Sequence, residues 1–212
     1  MSRYEETASS SSTCPDPVLD DRVIAILTRL EDDDARESVD DVPWERRSLA
    51  CGPETGRMLF ALVAANRGCR VLEIGGSRGY STIWLAAAAR IAGGTVISID
   101  RDPEKIAAWN ANLDDAGLRS YATLVEGDAL EALSRQEGRF DVVFLDAWKD
   151  DYELFFTAAR SLVEPGGVVA ADNVGSHEAL AGYVARRQAD PTLSSVTLPI
   201  GSGVELTTVL RP

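Results

Sequence analysis

Four side chains in the second half of the chain have the types and spacing for proton transfer beside a cation. They are Asp146 and Lys149 in FLDAWKDDY, and Asp172-Asn173 after the Pro165-Gly166-Gly167 turn. Two carboxylates and an amide carbonyl form a hard-oxygen set suited to Mg²⁺, with Mn²⁺ or Ca²⁺ as alternatives. Asp172-Asn173 could also be a simple turn. Of the 21 basic residues only Lys105 and Lys149 are lysines. Arginine keeps its proton near neutral pH, whereas a lysine beside a divalent cation can serve as a base. A surface lysine is the plain alternative for Lys149. Trp148 is either a pocket wall or ordinary packing. The lone His177 and the scattered Cys14, Cys51 and Cys69 make no competing soft-metal site.

A second stretch, VLEIGGSRGYS over residues 71–81, reads as strand, glycine-rich turn and helix start. Such a turn admits close backbone approach by a ligand, and the helix start offers free N–H groups. The spacing Glu73-x-Gly75-x-x-x-Gly79 is not the dinucleotide fingerprint Gly-x-Gly-x-x-Gly. A carboxylate at the turn suits a ligand of cationic or hydroxyl character better than a diphosphate. Acidic residues recur at the ends of successive predicted strands: Glu73, Asp100, Asp128, Asp146 and Asp172. Any one could be a cap or turn former. Five at one rim repel unless they bind something. Asp100 is placed to accept from ribose hydroxyls. Asp128 is placed to accept from an exocyclic amine or to cap the next helix.

These residues require a frame that brings strand ends together. Strands are expected at Arg70–Ile74, Thr95–Asp100, Ala122–Glu126, Phe140–Asp146, Gly167–Asp172, Ser195–Pro199 and Glu205–Leu210. Helices are expected between the first six, at Tyr80–Ile91, Pro103–Ala116, Ala129–Arg135, Asp151–Ser161 and Ser176–Ala189. The strands are near-continuous apolar runs, as when helices cover both faces. The alternation predicts an α/β fold with a doubly wound, seven-stranded, mostly parallel sheet. The last two strands, joined through Gly201-Ser202-Gly203, form an antiparallel hairpin. Ahead of this lie a Ser-rich tail over residues 1–15, expected to be disordered, and a helical cap over 16–52. The cap holds an amphipathic helix at 17–30 and an acidic run, Glu31–Asp41, expected as a solvated loop or frayed helix. Residues 44–51 form a short helix or an ordered loop. The main domain spans 53–212.

Net charge is −13, a poor match to nucleic acid or an anionic membrane. No apolar run is long enough to span a bilayer and nothing resembles a signal peptide, so a reducing cytoplasm is expected.

The glycine loop with its leading acid, the acid ending the second strand and the terminal hairpin resemble class I S-adenosylmethionine-dependent methyltransferases. DAWKDDY, DNV and the final Gly-Val-Glu resemble the catechol and caffeoyl-CoA O-methyltransferase group, which uses a divalent cation. The resemblance covers Pro53–Leu210. It implies that Glu73, Gly75, Gly79 and Ser81 shape the S-adenosylmethionine pocket, with Asp100 at the ribose, Asp128 near the adenine and Trp148 as a further cofactor-binding residue. It implies a metal on Asp146, Asp172 and Asn173, Lys149 as general base, and a small hydroxylated substrate gripped by Glu205. Asp100 stands where the family often has Glu, and Ala147 where the catechol enzymes carry His. The segment Val174–His177, which would touch substrate, also departs from theirs, and His177 is the candidate there. Homodimers are implied too, with helix 17–30 and the hairpin as apolar surfaces. Other readings are an RNA or protein methyltransferase, a non-catalytic cofactor-binding protein, and an NAD-dependent oxidoreductase.

Overall fold

The computed structural model describes residues 19–43 and 46–211. The expected disordered tail therefore lies outside the described residues, as does the beginning of the expected first helix. A seven-stranded sheet has the order β3-β2-β1-β4-β5-β7-β6. Its strands are β1 (Arg70–Ile74), β2 (Thr95–Asp100), β3 (Ala122–Glu126), β4 (Phe140–Leu145), β5 (Val163–Ala171), β6 (Leu193–Leu198) and β7 (Val204–Val209). Strands β3, β2, β1, β4 and β5 pair in parallel, and β7 runs antiparallel to both β5 and β6. The doubly wound sheet with its closing hairpin is as the sequence predicts.

The helices are α1 (Asp21–Val39), α2 (Gly52–Ala64), α3 (Tyr80–Ala92), α4 (Pro103–Asp115), α5 (Ala129–Ser134), α6 (Tyr152–Arg160) and α7 (Ala181–Ala189). They form two apolar layers. Val71 joins Leu59, Val63, Ile83, Leu85 and Trp109 on one face. Leu72 and Ile74 join Leu133, Phe155, Phe156 and Tyr183 on the other. The alternation along β1 is the period-2 signature of a strand buried on both sides. The last predicted helix, Ser176–Ala189, is shorter than expected: a 3-10 turn at Glu178–Leu180 precedes α7.

The acidic run corrects the sequence reading. It is neither a loop nor frayed, because α1 continues to Val39. Its carboxylates have partners. Glu31 accepts from the Tyr80 hydroxyl at 2.5 Å. Glu37 accepts from Arg78 at 2.6 Å and from the Ser48 amide at 2.6 Å. Asp34 accepts from the Ala50 amide at 3.3 Å. Charge pattern alone could not show this, because Tyr80 and Arg78 belong to the β1–α3 region and Ser48 and Ala50 to the loop ahead of α2. The apolar side of α1 (Val23, Leu27 and Leu30) is buried in the same cluster as the sheet.

Candidate active site

The carboxyl ends of β1, β2, β4 and β5 open into a cavity of about 910 Å³, within the size range of small-molecule and cofactor sites. The strand order reverses between adjacent β1 and β4, the usual ligand position in open α/β sheets.

At one end lies the β1–α3 turn. The amides of Gly75 and Gly76 both donate to the Ile99 carbonyl, at 3.0 and 3.2 Å. Gly75 has φ +98, and a Cβ there would come within 2.2 Å of the Asp146 carbonyl oxygen. The glycine is thus what lets the turn lie against the end of β4. Gly75→Ala is expected to lower stability by roughly 1–3 kcal/mol and to abolish binding at the turn. A thermal melt and calorimetric titration check both, and a protein that melts and binds as before would contradict the assignment. Gly79, with φ +90, sits at the start of α3 against Leu113 and Trp109 and does not line the cavity.

Glu73 departs from the simplest expectation. It shares a strand face with Val71 and points beneath the turn, where it is completely buried. Its carboxylate accepts from the hydroxyls of Ser81 (2.6 Å), Thr82 and Ser98, and Thr82 in turn accepts from Trp109 at 2.8 Å. Burial outweighs these donors and pushes the carboxyl up to about 7. Glu73 therefore braces the turn from below rather than presenting a charge to a ligand. Ser81 spans both roles, bonding Glu73 while lining the cavity.

Asp100 lines the cavity and accepts from the Ser77 amide at 2.7 Å and the Asp102 amide at 3.0 Å. These bonds hold it at the rim and leave further lone pairs for a ligand. Asp128 is both cavity lining and N-cap of α5, accepting from the Leu130 and Glu131 amides at 3.0 and 3.1 Å. The helix cap is thus formed, by a residue that also faces the cavity. Trp148 and Leu130 are partly exposed apolar walls of the same end.

At the other end, strand pairing sets Leu145 beside Ala171. Asp146 and Asp172 follow them, and the Asp172 amide donates to the Leu145 carbonyl at 3.0 Å. Asp146, Lys149, Asn173 and His177 line the cavity. Lys149 donates to Asp146 Oδ1 at 2.8 Å and to the Tyr152 hydroxyl at 3.2 Å. Asp172 is fully buried, and neither of its carboxylate oxygens has a hydrogen-bond partner. Burial and the neighbouring Asp146 charge push its carboxyl up to about 7. Asn173 adopts φ +66, a left-handed conformation that asparagine tolerates. Among the described residues, no group of three or more His, Cys, Asp or Glu side chains is placed to hold a metal ion. The candidate set is therefore two carboxylates and an amide. It fits a hard cation, because Asp172 is a buried anion with both oxygens unmatched, an arrangement a bound ion relieves.

Glu205 is not brought to this site. It lies on the strand face toward α7, where it is completely buried and accepts from Ser195 at 2.6 Å, Gln188 at 3.1 Å and Thr197. The strand begins at Val204, so period 2 turns Glu205 to the α7 side, away from the cavity. The hairpin reaches the cavity instead through Ser202. His177 is set by its amide, which donates to the Asn173 carbonyl at 3.1 Å, and by the Ser176 hydroxyl 3.1 Å from Nδ1.

Sequence reasoning passed over several lining residues. Arg47 and Leu49 come from the segment ahead of α2 and Phe155 from α6, while Asp34 of α1 and Cys51, neither of them expected at the site, line it too. Burial holds the Cys51 thiol well above its ordinary range, making it a neutral wall. Tyr152 stood inside the quoted DAWKDDY motif. Its spacing of three from Lys149 across a helix start was the available signal.

Comparison with known proteins gives a consistent result. A family model described as O-methyltransferase matches residues 33–209. A catechol O-methyltransferase of Niastella koreensis is 36% identical over 131 residues, which are 60% of this chain and 59% of that protein. A catechol O-methyltransferase of Mycobacterium tuberculosis is 36% identical over 127 residues, 59% of this chain and 57% of that protein. The matched stretch thus spans less than two thirds of either relative. The crystal structure of the O-methyltransferase TomG from Streptomyces achromogenes, in complex with SAM, superposes with TM-score 0.72 at 25% identity. The superposition covers 88% of this chain and 90% of that one.

Proposed function

The chain belongs to the O-methyltransferase family, and we propose that it transfers a methyl group from S-adenosylmethionine to one hydroxyl of a small catechol-like or vicinal diol, assisted by a divalent cation. The observation that carries this reading is the two-ended cavity. The glycine turn, Asp100 and Asp128 line one end, and Asp146, Lys149 and Asn173 line the other.

S-adenosylmethionine, when bound, supplies an electrophilic methyl on a sulfonium. The Gly75-Gly76 turn and Ser81 would receive its amino-acid part, and Asp100 its ribose. Asp128, Leu130 and Trp148 would enclose the adenine. Asp146, Asp172 and Asn173 would hold the cation, which as a Lewis acid lowers the pKa of an acceptor hydroxyl. Lys149 takes the proton from that hydroxyl onto Nζ, and Asp146 stabilises the ammonium that results. Leu49 and His177 would border the space left for the acceptor, and the covering segment 48–51 would help to keep water out. Orientation of oxygen toward methyl then supplies much of the rate.

A methyl-transfer screen over catechols, flavonoids and hydroxycinnamoyl esters tests this, with Mg²⁺ and with excess chelator. Product is expected with Mg²⁺, and chelation is expected to slow turnover roughly 10²-fold or more, the loss of several kcal/mol of stabilisation. Undiminished turnover in chelator would sink the cation's role. Calorimetry that finds NAD binding and no S-adenosylmethionine binding would sink the whole reading.

A further inference from the structure

We propose that Tyr152 is a positioning residue for Lys149, using its hydroxyl to fix the amine so that the nitrogen lone pair faces the cavity. This rests on Lys149 being the base. An amine acting as a base has two N–H bonds and one lone pair. The structure offers Nζ two acceptors, Asp146 Oδ1 at 2.8 Å and Tyr152 Oη at 3.2 Å. With both N–H bonds engaged, one direction at the nitrogen is left over, on a residue that lines the cavity.

The Tyr152 hydroxyl is itself held in one role. Two carbonyls accept from it, Leu145 O at 3.0 Å and Asp172 O at 3.2 Å. A phenol has one proton to give. Once that proton goes to a strand-end carbonyl, only lone pairs face Lys149, so Tyr152 meets the amine as an acceptor. The ring is locked too. It is buried at the start of α6, edge-on to Tyr183 with centroids 5.7 Å apart. Lysine by contrast has a long flexible stem. Without the hydroxyl, Nζ keeps one directed hydrogen bond, to Asp146, beside the Tyr152 ring whose centroid is 5.3 Å away. Tyr152 follows Lys149 by three residues through the 3-10 turn Lys149–Asp151, so base and guide are set by one local element.

Packing alone would account for the ring and not for the hydroxyl. Tyr152→Phe separates the two, because it keeps the ring. The Leu145 carbonyl also keeps a partner in that variant, the Asp172 amide at 3.0 Å. Misplacing a reacting group by about 1 Å can cost 10²-fold in rate. Tyr152→Phe is therefore expected to lower kcat about 10- to 100-fold. KM for S-adenosylmethionine and for a catechol, and the half-saturating Mg²⁺ concentration, should stay within about twofold. In a Lys149→Ala background the same change should cost no further activity, since the residue it positions is gone.

The lysine-poor composition allows a readout independent of turnover. Protein labelled with ¹³C at lysine Cε carries two labelled side chains, Lys105 and Lys149. Tyr152→Phe is expected to lower the order parameter of Lys149 and leave that of Lys105 unchanged. The proposal is overturned by an unchanged kcat, by an unchanged Lys149 order parameter, or by the full loss recurring in the Lys149→Ala background. A variant already unfolded at the assay temperature would make the hydroxyl structural and overturn it as well. A wild-type protein inactive toward every catechol would instead overturn the functional reading, whereas an active wild type with normal Tyr152→Phe kinetics overturns this proposal alone.

Discussion

Replacing Asp172 by asparagine is expected to make the metal-free protein more stable and the enzyme inactive. Asp172 is a fully buried carboxylate with no well-formed hydrogen bond to either oxygen, and burial and the like-charged Asp146 outweigh the help it receives from the Asn173 amide and the Lys149 charge. Leaving a buried charge unmatched costs roughly 1–3 kcal/mol or more. The substituted amide would be neutral and able to donate, so Asp172→Asn should raise the melting temperature by about 3–10 °C in chelator at pH 8. The pH dependence follows from the same burial. The carboxyl moves from 3.8 to about 7 on folding, so the folded state holds the proton more tightly than the unfolded one. Its contribution to stability is complete below about pH 4 and is lost as pH rises toward 7. The metal-free wild type should therefore lose stability over that window, and Asp172→Asn should lose less. Some of the decline remains in the variant, because the Glu73 carboxyl is raised to about 7 by its own burial. Mg²⁺ or Mn²⁺ should stabilise the wild type more at pH 8 than at pH 5.5, and Asp172→Asn at neither. Scanning calorimetry across pH, with and without the cation, checks each part. A less stable Asp172→Asn protein at pH 8 would contradict the account.

Lys149 carries the second large effect. Lys149→Arg keeps a cation beside Asp146 but removes a group able to accept a proton near neutral pH. Loss of a general base costs about 10²–10⁴ in rate. Both Lys149→Arg and Lys149→Ala are expected to lose kcat on that scale. S-adenosylmethionine should bind as before, because Lys149 is not among the residues proposed to receive it. Product formation followed by mass spectrometry, beside a calorimetric titration with the methyl donor, separates the two steps. Lys149→Arg turning over at the wild-type rate would remove the lysine from the chemistry.

The outcomes for Glu73, Glu205 and the acidic run show where reading the chain stopped short. In each case the carboxylate's partners belong to other elements of the fold. Glu73 takes hydroxyls from α3 and β2, and Glu205 takes them from β6 and an amide from α7. Asp34 and Glu37 hold the loop ahead of α2. A charge pattern says which residues want partners, not whether those partners are water or protein. Ser81, Asp100 and Asp128 were easier, because a residue at a strand end or helix start is displayed at the rim by local geometry.

The sequence by itself determined the alternation of strands and helices, the closing hairpin, the glycine turn and the motif pairing Asp146 with Lys149. Those follow from short-range periodicity and spacing, which propensity and steric limits act on directly. The tertiary structure decided what each carboxylate faces. It buried Asp172 with no partner for its oxygens, turned Glu205 away from the cavity, set Glu73 beneath the turn, and brought the Tyr152 hydroxyl between two strand ends and Lys149. The physical reason is that burial and hydrogen-bond partnership depend on strand register and helix packing between segments far apart in the chain.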